Sequence, residues 1–135
     1  MSKTFRIATA LIALAASGAQ AADLVIASPD GSIALRIADD ASSFSVSRRG
    51  EAVITPSPLG LELEGQPAIG LLKLESRQDM KEDRVIPLIA TKAATARDHY
   101  VGATLGFREA GGGRRVFIDA RAYDDGVAFR YRFEG

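Results

Sequence analysis

Cysteine and tryptophan are absent from the 135 residues, and histidine occurs once. Without thiols there is no disulfide framework and no thiolate metal site, and one imidazole leaves a histidine-based zinc site short of ligands. An exported chain without disulfides is compatible with a bacterial periplasm. An excess of charge is lacking too, because 17 basic and 17 acidic residues cancel. The pairs Arg48-Arg49 and Arg114-Arg115 stand isolated beside glycine, as turn residues do. No basic stripe offers nucleic acid or anionic lipid a footprint. Nor does any apolar run reach the ~20 residues that a membrane-spanning helix needs.

What is present begins with a leader. "MSKTFRIATALIALAASGAQA" sets Lys3 and Arg6 ahead of an apolar run from Ile7 to Ala16, then closes on Ala19-Gln20-Ala21. A basic start, a short apolar stretch and a small-x-small ending predict a secretory signal peptide over residues 1–21. Cleavage near Ala21 would start the mature chain at Ala22 and deliver it to the periplasm or beyond. With no cysteine at the cleavage site, a lipoprotein signal is excluded. Residues 22–135 then form one modest domain of 114 residues with 15 basic and 17 acidic side chains.

Past the leader the apolar period is two. Ile33, Leu35 and Ile37 alternate with polar or small neighbours, as do Phe44 and Val46. Leu59, Leu61 and Leu63 alternate with Gly60, Glu62 and Glu64, and Leu72 and Leu74 with Lys73 and Glu75. Further on come Val101, Ala103, Leu105 and Phe107, then Val116, Ile118 and Ala120. This pattern predicts antiparallel strands with one face buried and one wet. Ser28-Pro29-Asp30-Gly31, Arg49-Gly50 and Gly111-Gly112-Gly113 fall between such runs and predict turns. The only helix candidate is "LIATKAATARD" from Leu88, behind Pro87 and poorly spaced, so a loop or a short helix is expected there. The fold class is all-β, an antiparallel β-sandwich. An outer-membrane barrel is disfavoured, since its strands need about 9–11 residues and most of these runs are shorter.

The stretch "AYDDGVAFRYRF" concentrates the rings. Of eight aromatic residues outside the leader, seven lie at or after Tyr100. Asp124-Asp125-Gly126 predicts a three-residue hairpin link with a left-handed glycine last. The returning strand sets Val127, Phe129, Tyr131 and Phe133 on one face, and Ala128, Arg130 and Arg132 on the other. Burying each ring stabilises a fold by ~1.5–3 kcal/mol, so something has to cover this face. Few upstream rings are available to do so, and the strand's outer edge lacks a partner. The sheet reads as incomplete.

Three segments resemble the N-terminal domain of glycoside hydrolase family 97: "SPDGSIALRI" with "FSVSRRGEAVITPSPLGLEL", then "ARDHYVGATLGF", then "ARAYDDGVAFRYRF". The segment "KEDRVIPLIATKAATARDHY" departs from the pattern, having none of the tryptophan usual there. The resemblance implies a galactose-mutarotase-like sandwich standing before a β/α catalytic barrel in an exo-acting α-glycosidase for terminal α-linked glucose or galactose. It implies that the barrel carries the catalytic carboxylates, with a calcium ion usually at the active site, while the sandwich buttresses it and supplies part of the pocket rim. This chain is then the first part of such a sandwich. It has no catalytic residue or metal ligand of its own, and its partners are the barrel and, through it, carbohydrate. The other reading is a free-standing secreted β-sandwich that binds carbohydrate or protein, which requires an exposed platform of rings.

Several side-chain groups resemble sites. Glu62 and Glu64 share a strand face at a spacing open to paired carboxylates, but strand alternation already places acids on the solvent side. Asp98-His99 suggests a triad, yet sequence neighbours cannot hold the geometry in which one orients the other. Asp124 and Asp125 offer oxygens suited to calcium, although turn chemistry explains them without an ion. Arg130 and Arg132 could contact a sugar or a missing barrel, and their expected partner is Asp119 on the neighbouring strand.

Overall fold

The computed structural model describes residues 22–89 and 92–134. The expected leader, residues 1–21, lies outside these. The strands are β1 (Leu24–Ala27), β2 (Ile33–Ile37), β3 (Ser43–Arg48), β4 (Glu51–Pro58), β5 (Leu72–Pro87), β6 (Thr95–Glu109), β7 (Arg115–Tyr123) and β8 (Gly126–Phe133). Every pairing is antiparallel and joins neighbours in the chain. They form two four-stranded sheets, β1-β2-β3-β4 and β5-β6-β7-β8, packed as a sandwich.

The core follows the alternation in the sequence. Ile26, Ile33, Leu35, Ile37 and Val46 of the first sheet meet Ala103, Leu105, Phe107, Ile118, Ala120 and Ala122 of the second. Register keeps these residues in line, with Leu105 opposite Ile118 and Ile118 opposite Tyr131. β1 and β2 lie against β6, β7 and β8. Phe44 of β3 meets Phe129 of β8 edge-on, with ring centroids 5.2 Å apart. That contact covers part of the aromatic face of β8, whose rings are half-buried.

Turn chemistry explains the tight hairpins. Between β1 and β2 the Gly31 amide donates to the Ser28 carbonyl at 2.9 Å, with Pro29 inside the turn and Gly31 at φ 73°. Between β3 and β4, Arg49 and Gly50 both take positive φ, 50° and 85°. Two left-handed residues in a two-residue link match the right-handed twist of the paired strands.

The structure departs from the sequence reading in four places. No strand forms over Leu59 to Glu64. The chain there is extended, with Leu59, Leu61 and Leu63 half-buried, but it lies outside both sheets. An extended backbone alternates its side chains with or without a ladder partner, so the period alone misleads. The second departure is length: β5 has 16 residues and β6 has 15. Third, the stretch from Leu88, expected as a loop or a short helix throughout, is a loop among its described residues only as far as Ala94. Thr95–Asp98 belongs to β6, and the Leu88 amide donates to the Ala94 carbonyl across the hairpin end. Ala90 and Thr91 lie outside the described residues. Fourth, the link after Tyr123 has two residues, since Tyr123 pairs directly with Gly126, and Gly126 is not left-handed. Asp124 is held there from outside the hairpin by the Asp30 amide, 2.9 Å away.

Candidate functional site

β5 to β8 turn one face inward and present the other as a broad outer surface. On that surface the register brings Thr104 opposite Asp119, and Asp119 opposite Arg130. Asp119 accepts from the Thr104 hydroxyl at 2.9 Å and from Nε of Arg130 and Arg132 at 3.1 and 3.3 Å. Burial pushes the Asp119 carboxyl up, but Arg132, Thr104 and Arg130 together outweigh it, so the pKa lies below the ordinary value. The expected cross-strand pairing of both arginines with Asp119 is therefore present. Beside it lies a shallow depression of about 510 Å³ whose lining includes Arg121, Tyr123 and Met80.

The aromatics of this face are laid flat by small residues. β6 carries Gly102 and Gly106 on the outer side. A Cβ at Gly102 would stand 3.2 Å from the Tyr100 ring, and one at Gly106 would stand 3.2 Å from the Phe117 ring. Each ring then has a guanidinium over it. Arg121 sits 4.3 Å from the Tyr100 centroid, and Arg132 sits 4.5 Å from that of Phe117. Tyr100 is only 6% exposed. It offers no open platform for a sugar ring, and Phe129, Tyr131 and Phe133 face the interior. A hydrogen bond to Tyr123 helps hold Arg121 charged. The sequence reading missed this stacking. The signal for it is the placement of glycine, arginine and tyrosine on the same outward positions of adjacent strands.

A second polar cluster joins the ends of the sheets. Asp30 accepts from the Ser28 hydroxyl at 2.6 Å and from the Ser32 amide at 2.8 Å. These bonds, that to Ser28 foremost, hold its carboxyl well below the usual range. Asp124 accepts from the Asp30 amide, and its other oxygen lies 3.8 Å from His99 Nδ1. Asp98 turns to the opposite face, where it contacts Arg84 at 3.3 Å and accepts from the Tyr123 hydroxyl at 3.3 Å. The sequence neighbours Asp98 and His99 thus point away from each other. Asp125 is exposed and contributes nothing to this cluster. Among the described residues no group of three or more histidine, aspartate or glutamate side chains could hold a metal ion. Asp124 and Asp125 lie in the two-residue link between β7 and β8.

Glu62 and Glu64 are exposed on the irregular link rather than on a strand face. The carboxylate that organises this region is Glu109, at the end of β6. Its Oε1 accepts from the Gly70 amide at 2.7 Å, and both its oxygens accept from the Arg114 guanidinium, at 2.9 and 3.0 Å. Arg114 in turn donates to the carbonyls of Pro67 and Ala68. Arg114, followed by the Gly70 and Arg114 amides, lowers the Glu109 pKa to about 2. This pair ties the link between the sheets to the β6–β7 turn. A carboxylate held in this way accepts hydrogen bonds and does not donate protons.

The comparisons with known proteins agree with the architecture. The family described as Glycosyl-hydrolase 97 N-terminal matches residues 26–135. A retaining alpha-galactosidase of Bacteroides thetaiotaomicron is 31% identical over 112 residues, covering 82% of this chain. A probable retaining alpha-galactosidase of Streptomyces bingchenggensis is 36% identical over 107 residues, covering 76%. The chain spans about 16% of the length of these curated relatives. Glycoside hydrolase family 97 enzymes from Pseudoalteromonas sp. strain K8, solved with panose and with acarbose, superpose with a TM-score of 0.70 at 26% identity. Each match covers 82% of this chain and 17% of the enzyme. The chain belongs to the glycosyl-hydrolase 97 N-terminal family.

Proposed function

We propose that the chain supplies part of the N-terminal, non-catalytic sandwich of an exported exo-acting α-glycoside hydrolase of the α-galactosidase or α-glucosidase type, where it supports a catalytic barrel. The observation that carries this reading is the family match over residues 26–135 to a domain whose curated relatives are retaining α-galactosidases about six times longer. The chemistry of the described side chains supports it. Every carboxylate with a displaced pKa is displaced downward, held as an anion by arginine or by turn amides and hydroxyls. A glycosidase acid needs the opposite, a carboxyl raised by an apolar pocket. The catalytic pair and the calcium ion belong, in this reading, to the barrel. The leader over residues 1–21 takes the product to the periplasm or outside the cell.

Two measurements test the reading. The exported full chain, assayed on nitrophenyl α-galactoside and α-glucoside, is expected to show no turnover, and its processed N-terminus is expected at Ala22. Turnover by this chain alone would overturn the non-catalytic role. A chimera of the Bacteroides α-galactosidase carrying this sandwich stretch in place of its own is expected to keep its activity, whereas deletion of the stretch abolishes soluble enzyme. A deletion variant that stays stable and active would overturn the supporting role.

A further inference from the structure

Several arginines on the outer face of β5 to β8 are matched by carboxylates. Arg84 meets Asp98, Arg108 and Arg115 share Glu75, and Glu134 also meets Arg115. In the shallow depression over β6, β7 and β8 the balance fails. Arg121, Arg130 and Arg132 all line it, against the single carboxylate of Asp119. Two positive charges stand in excess there. Each guanidinium carries five N–H donors, and few of them are taken up. Arg130, 74% exposed, gives Asp119 its Nε alone, while Arg132 gives Nε and one terminal nitrogen. Arg121 has no ion pair among the described residues and donates to the Tyr123 hydroxyl at 3.4 Å.

Two of the three cations are also held in place. Arg121 lies over Tyr100 and Arg132 over Phe117. A guanidinium already stacked on a ring loses less freedom on binding than a free one. Its planar fork matches the oxygens of a carboxylate, sulfate or phosphate. The depression, about 510 Å³, is of the size that small ligands occupy, ~300–1,000 Å³. Ala128 and Thr104, both small, give it room. We propose that this depression binds the oxyanion of a small ligand, a carboxylate, sulfate or phosphate, between Arg121, Arg130 and Arg132. Asp119 anchors Arg130 through Nε and leaves its two terminal nitrogens for the ligand. The site takes charge rather than a sugar ring, so it stands apart from the proposed function.

The test titrates the full chain with sodium sulfate, sodium phosphate and sodium galacturonate, with galactose as the uncharged control. Sodium chloride keeps the ionic strength constant, which removes general screening from the readout. Binding is followed by NMR at the arginine Nε–H resonances and by the unfolding midpoint. At least one anion is expected to saturate, with a dissociation constant on the order of 1 mM, as so few ligand atoms allow. Galactose is expected to do nothing. Arg121→Gln and Arg130→Gln are each expected to weaken binding about tenfold, the scale of one lost charge-assisted hydrogen bond. Arg48→Gln, on the other sheet, is expected to leave it unchanged. Should Arg121→Gln not fold, Arg130→Gln still decides, because its side chain stands in solvent. Preference for galacturonate marks the ligand as an acidic sugar, and preference for sulfate or phosphate marks it as an inorganic or ester anion; either supports the site. No saturation by any of the anions, an equal response to galactose, or affinity unchanged by Arg130→Gln would overturn it.

Discussion

Truncating Phe129 and Phe107 separately to alanine measures how closed the sandwich is at its β8 side. Phe107 is 0% exposed, in the centre of the core. Its removal leaves an enclosed void, and phenylalanine-to-alanine changes at such sites cost ~3–5 kcal/mol. Phe129 is half-buried and packs edge-on against Phe44 at 5.2 Å. A phenylalanine ring covers ~150–250 Å² when fully buried. Losing somewhat over half of that at ~25 cal/mol per Å² costs ~2–3 kcal/mol, with little cavity penalty because the site opens to water. The midpoint should fall by roughly 10 °C for Phe129→Ala and by roughly 20 °C for Phe107→Ala. Urea unfolding of the two variants gives the free energies directly. A cycle of Phe44→Leu with Phe129→Leu should show a coupling of ~0.5–1.5 kcal/mol. Equal costs for the two alanine variants would mean that Phe129 is sealed in, contrary to an open edge. A Phe129→Ala cost below ~0.5 kcal/mol would mean that the ring is not packed on Phe44.

Glu109→Gln tests the clamp on the link through pH. The Glu109 pKa is lowered from 4.5 to about 2, so the stability carried by its ionised form is whole above pH 4.5 and lost as pH falls towards 2. The midpoint gap between wild type and Glu109→Gln, followed by circular dichroism, should be widest at pH 5–7 and close near pH 2; a gap constant with pH would refute the assignment. Gly102→Ala should cost ~1–3 kcal/mol by overpacking, because the new Cβ would stand 2.7 Å from the Ala120 carbonyl, a backbone atom that cannot swing aside. An unchanged urea midpoint would show that β6 and β7 are further apart at this point.

The strands that the sequence reveals are those with one face in the core. β2, β7 and the inner half of β6 alternate because burial imposes the period on them. β4 has no buried face, carries Pro56 and Pro58, and so shows no alternation, although it pairs with β3. The polar half of β5 is equally silent. It is a strand because β6 pairs with it, through contacts such as Asp83 with Arg97 at 2.7 Å, and a contact between residues so far apart is not written in either segment alone. A bulge between Leu74 and Ser76 also changes which residues face inward, so that Arg77 reaches the Val25 carbonyl at 3.0 Å. Among the candidate sites, the Arg130 and Arg132 pairing with Asp119 was legible because strand register fixes it. The Glu109–Arg114 clamp was not, because its partners Pro67, Ala68 and Gly70 lie on an irregular segment with no period to read.

The pairing of strands only with their chain neighbours has a consequence for assembly. Each sheet closes by a succession of short loops, for which little chain entropy is lost per step. The only distant event is the docking of one completed meander on the other. Between them runs a single tether, residues 59–71, held at its ends by the Leu59 amide on the Ser42 carbonyl and the Ala110 amide on the Leu71 carbonyl, and between them by Arg114 and Glu109. A backbone nick in that tether would leave two pieces that each retain every ladder partner. The pieces should therefore recombine in solution, which makes this sandwich a natural split protein with its seam already drawn.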